Sequence, residues 1–181
     1  MKTFLGTLFA LVAGLSLAAP ATATATSAPS AAPDRPASVV THYAHSDRHS
    51  IHNWATARAY LPGARHDFKA FAAHAGRKDR RWVIAHHLND CLKASGLHVD
   101  AIAYAGRLGY ATGGVSSCGG YEAIWTNVNR GGTRVTHWRE VFASQDGWYC
   151  PVLKRFRVPS ALVGDSCYSP KAKRTLAYHQ D

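Results

Sequence analysis

Three patterns of apolar and polar positions succeed one another along the chain. The first is a largely apolar run from Phe4 to Leu17, behind Lys2 and ahead of small residues. A positive start, an apolar centre and Ala-x-Ala spacing at Ala21/Ala23 and Ala23/Ala25 predict a cleavable signal peptide over residues 1–25. The run is shorter than the roughly 20 apolar residues of a membrane-spanning helix, so an uncleaved anchor is the weaker reading. Residues 26–38 are dominated by Ala, Thr, Ser and Pro, with no large apolar side chain. That composition cannot bury a core and predicts a disordered spacer. Residues 39–181 are then read as a single domain, with no second apolar run able to cross a membrane.

The second pattern is helical. Asn53–Tyr60 reads as a short helix ended by Pro62-Gly63. Phe68, Phe71, Ala72 and Ala75 recur at helical spacing, and Gly76 predicts a stop. A further helix is predicted from Asp79 as N-cap, with Ile84, Leu88, Cys91 and Leu92 on one face and Gly96 as C-cap.

The third pattern is extended. Val99–Tyr104 and Val115–Trp125 read as strands, the second with a bulge at Gly119-Gly120. Asn127–Thr133 is turn-rich, and Thr133–Ala143 reads as the return strand of a hairpin. Pro151 predicts a short helix over Val152–Arg157, ended by Val158-Pro159. Helices followed by antiparallel strands predict an α+β domain with N-terminal helices packed on a curved antiparallel sheet. Cystatin-like and nuclear-transport-factor-like arrangements are fold-level analogies for it and carry no function.

The four cysteines, Cys91, Cys118, Cys150 and Cys167, agree with export. An even number in an oxidising compartment predicts two disulfides and a secreted, extracellular protein. Of three connectivities, Cys91–Cys118 and Cys150–Cys167 are favoured, because local pairs close first. No C-x-x-C spacing supports a zinc site at these cysteines.

The run Ser117–Trp125 (SCGGYEAIW), then Trp138-Arg-Glu-Val141, Gln145, Trp148 and Cys150, are distinctive. Leu153, Phe156, Val158-Pro159, Gly164, Cys167 and Tyr168 continue the series. Together, over roughly Asp79 to Tyr168, they resemble a group of small secreted proteins of high-GC Gram-positive bacteria. The resemblance implies an architecture and brings no catalytic residues.

Charge narrows the partners. Lys and Arg exceed Asp and Glu by 10, with exposed-type clusters at Arg77–Arg81, Lys154–Arg157 and Lys171–Arg174. Such a field favours anionic partners. For an exported chain these are an anionic cell-wall polymer or an acidic protein, and nucleic acid is not expected.

Candidate chemistry is sparse. His42, His45, His49 and His52 are spaced by three, four and three, which on a helix would align imidazoles for Zn²⁺ or Cu²⁺. No H-E-x-x-H arrangement supports them, and a polar histidine-rich arm is the plainer reading. Glu122 and Glu140, the only two glutamates, lie on predicted strands joined by the Asn127–Thr133 turn. Brought together, they would suit a hydrolase; His137, which alternates with Trp138 on a predicted strand, could face a cleft. The plainer reading is ion pairing with Arg107, Arg134 or Arg139. There is no G-x-S-x-G, P-loop or dinucleotide fingerprint, and no cofactor is expected. The sequence therefore leans away from an enzyme, towards a secreted binding or cell-surface-associated protein with an anionic ligand. A secreted hydrolase with Glu122, Glu140 or His137 in its site is the first alternative. Extracellular metal binding by the His42–His52 segment is the second.

Overall fold

The computed structural model describes residues 39–43, 50–115 and 117–181. The signal-peptide and spacer segments, His45 and His49 lie outside the described residues. Asn53 starts α1 (Trp54–Tyr60) with a reciprocal cap. Its side chain accepts from Thr56 N at 2.9 Å, and Thr56 Oγ1 accepts from Asn53 N at 3.1 Å.

Where the sequence predicts two helices, there is one. Helix α2 runs without a break over His66–Ala85. Gly76 is inside it and stops nothing. A Cβ at that position would overlap the Ile51 carbonyl oxygen, so the glycine lets the chain around Ile51 lie directly on the helix. Asp79 is likewise no N-cap. From mid-helix its carboxylate accepts hydrogen bonds from Gly96 N at 2.7 Å and from Ser117 Oγ at 2.9 Å. It ties both ends of the following segment to α2. Cys91 falls past the helix, on a 3-10 turn at Asn89–Cys91.

Five antiparallel strands pair in the order β1 (Val39–His42), β2 (Leu97–Ala105), β3 (Leu108–Val115), β4 (Tyr121–Val128) and β5 (Arg134–Ser144). The predicted strand over Val115–Trp125 divides into the end of β3, a connection carrying Cys118, and the start of β4. Gly119-Gly120 belongs to that connection and forms no strand bulge. The glycine-rich β3, like β1, is a strand that the sequence reading did not find.

Alternation along the strands gives the sheet two apolar faces. Leu97, Val99, Ala111, Ala123, Trp125 and Trp138 meet Phe68 and Ala72 of α2. On the other face Tyr110, Ile124 and Val128 meet Leu153 and Phe156 of α3 (Cys150–Phe156). A short helix, α4 (Ser160–Val163), and a hairpin of β6 (Ser166–Ser169) and β7 (Arg174–Ala177) follow α3. The fold is thus α+β, with the sheet covered on both sides. The cysteines pair as Cys91–Cys118 and Cys150–Cys167, with Cα separations of 5.4 and 5.0 Å inside the usual range. No helix among the described residues is long and apolar enough to cross a membrane. Both features are compatible with an extracellular protein.

Candidate functional site

Between α2 and the sheet lies a cleft of about 410 Å³. Its floor is apolar: Phe71 from α2, Leu97 from β2, Val115 from β3 and Trp125 from β4. The rim on the helix side is built by His74, Lys78, Asp79 and Trp82, at the three- and four-residue steps that share a helix face. The rim on the sheet side is built by Tyr121 and Glu140. An apolar base with a few convergent polar groups is the ordinary form of a small-ligand site.

The polar groups are not equivalent. Asp79 is engaged by Gly96 and Ser117. Glu140 accepts a hydrogen bond from the Tyr121 hydroxyl at 3.3 Å. Burial, then the Glu140 charge and that hydrogen bond, and then Asp79, push the Tyr121 hydroxyl up to about 12. Tyr121 is therefore a standing donor at neutral pH. Lys78 and His74 are exposed on the helix side, and Trp82 keeps 49% of its surface exposed while stacking on His86 at 4.3 Å.

The expected hydrolase group does not assemble. Register places Glu140 opposite Trp125 and so on the α2 face, where it lines the cleft. Glu122 lies on the Ile124 face, the other side of the sheet. A two-residue period decides this, because a strand alternates faces at every step. His137 is exposed and adjoins Trp138, which faces α2, so it points to the Glu122 side. Glu122 pairs with Ser144, however, and the β5 path from His137 to Ser144 spans on the order of 20 Å. The arginines expected as ion-pair partners are elsewhere: Glu122 faces His98, with 3.6 Å between His98 Nε2 and Glu122 Oε1.

Neither of the two described histidines of the His42–His52 segment is helical. His42 ends strand β1, and His52 sits on extended chain before α1, its Nδ1 3.2 Å from Ser50 O. Sequence reasoning also missed His98, Asp100 and His74, and took Lys78 only as one of the Arg77–Arg81 cluster. The α2 pair was visible in principle, since His74, Lys78, Asp79 and Trp82 share helical spacing. The predicted stop at Gly76 hid it. No protein-family model, curated protein or solved structure matches the chain.

Proposed function

We propose that this chain is an exported, non-catalytic binding protein whose ligand joins an anionic group to an apolar or ring-shaped body. The cleft carries the reading: an aromatic floor under an exposed Lys78 and His74, in a chain of net charge +10. Lys78 and His74 would take the anionic group. Glu140, at the opposite lip, would accept from a hydroxyl or amine on the same ligand. Fragments of an anionic cell-wall polymer, with sugar or polyol units linked by acidic groups, have this chemistry. Separation of Glu122, Glu140 and His137 leaves the hydrolase reading without its acid–base pair. The signal-peptide pattern and the two disulfides support export.

The test is calorimetric titration with naphthalene probes carrying a phosphate, no charge, or a trimethylammonium group. The phosphate probe should bind at least about tenfold more tightly than the ammonium probe, about 1.4 kcal/mol. Lys78→Ala should remove most of that preference. Binding of the ammonium probe alone, or protein-dependent release of naphthol from the phosphate ester, would sink the reading.

A further inference from the structure

On the sheet face opposite the cleft, one row of residues crosses the strands: His98 on β2, Gly114 on β3, Glu122 on β4 and Ser144 on β5. His98 and Glu122 are two strands apart and ordinarily would be kept apart by the side chain between them. Gly114 has none. A Cβ there would stand 2.9 Å from His98 Cε1. The gap lets the imidazole and the carboxylate lean together over bare backbone. A register shift between Val99 and Ala101 then adds Asp100 as an extra residue on β2. Bulges of this kind re-aim a side chain. Ligand atoms of His98, Asp100 and Glu122 all lie within 4.8 Å of one another.

The spacing is informative. At 3.6 Å the His98 Nε2 to Glu122 Oε1 separation exceeds a hydrogen bond. It is close to the edge of a tetrahedral zinc shell, about 3.4 Å for nitrogen and oxygen ligands roughly 2.1 Å from the ion. The imidazole is held in place, since His98 is only 8% exposed, whereas Glu122 keeps 48% of its side chain in solvent. A buried imidazole, the half-buried Asp100 carboxylate and the exposed Glu122 carboxylate can close around an ion and leave a coordination position for water.

We propose that His98, Asp100 and Glu122 form a binding site for a divalent first-row cation, with Zn²⁺ the preferred occupant. One imidazole and two carboxylates suit a borderline ion better than Ca²⁺ or Mg²⁺, which take all-oxygen shells. The three residues come from β2 and β4, and His98 and Glu122 lie on the sheet face opposite the cleft.

Titration of the whole protein with ZnCl₂ is the test. One saturable site per chain is expected, weakened about tenfold or more by Glu122→Gln and by Asp100→Asn. A variant with His42, His45, His49 and His52 all changed to Gln should keep it. Ring resonances of His98 in the unmodified protein should shift as one equivalent of Zn²⁺ is added, a readout that needs no variant to fold. Absence of a saturable site overturns the proposal. So do unchanged affinity in both carboxamide variants, loss in the four-histidine variant, or unmoved His98 resonances while zinc binds.

Discussion

Single residues with no side chain, or with one placed in mid-element, decide much of this structure. Gly76 is the clearest. Its Cα faces the Ile51 carbonyl at a distance that admits no methyl group. Gly76→Ala should destabilise by about 2–3 kcal/mol, the upper part of the range for overpacking, although alanine is the better helix former. A lower urea midpoint at unchanged slope would register it, and equal or raised stability would refute the close approach. Tyr121 offers a second case. Its hydroxyl is raised from the usual 10 to about 12, chiefly by burial. A raised folded-state value means the contribution is complete below pH 10 and is lost as pH climbs towards 12. Stability should therefore fall across that window. Tyr43, also raised to about 12 by burial and the neighbouring Tyr104, should add to the decline. Tyr121→Phe should flatten the loss, read from urea midpoints at successive alkaline pH values. An unchanged slope would show that Tyr121 ionises as freely folded as unfolded.

Elements were legible in the sequence where periodicity was uninterrupted. The α1 boundaries followed from Asn53 and Pro62-Gly63, and β5 followed from the Asn127–Thr133 turn and the β-branched and aromatic Val135, Trp138, Val141 and Phe142 after it. Strand β3 was not legible, because Leu-Gly-Tyr-Ala-Thr-Gly-Gly-Val reads as loop. Its glycines are tertiary devices: Gly114 opens the floor between His98 and Glu122, a relation that only register reveals. For the same reason the candidate site was half visible. Glu140 and Glu122 could be named, but the face each would take depended on strand bounds that shift by one residue at a time. The disulfides were easier, since order along the chain favoured the pairing observed. Replacing Cys150 and Cys167 together with Ala should cost about 3 kcal/mol through a less restricted unfolded chain. The pair joins α3 to the β6–β7 hairpin across a separation of 17 residues. A loss well below 1 kcal/mol in a urea melt would mean that Leu153, Phe156 and Val158 hold that layer without the crosslink.

At the scale of the whole molecule, charge and shape make separate contributions to binding. The exposed cations are dispersed: Arg77, Lys78 and Arg81 on α2, Lys154 and Arg155 on α3, and Lys171, Lys173 and Arg174 beside the terminal hairpin. Helices α2 and α3 pack on opposite faces of the sheet, so the positive field surrounds the domain and is not focused in one patch. A dispersed field attracts a polyanion without fixing its orientation, and salt screens it strongly, since the Debye length falls from about 10 Å at 0.1 M to about 3 Å at 1 M. A ligand seated in the cleft is held differently, by Trp125 and Phe71 beneath it as well as by Lys78. Retention on a polyanionic matrix should therefore collapse between roughly 0.1 and 1 M salt, while affinity for the naphthyl phosphate probe declines much less. Reversing Lys154 and Arg155 to Glu should weaken retention about as much as reversing Lys171 and Lys173. If one pair abolished retention and the other left it untouched, the attachment would be a localised patch. If the probe and the polymer lost affinity in parallel with salt, the cleft would be acting through charge alone and its apolar floor would have no part in recognition.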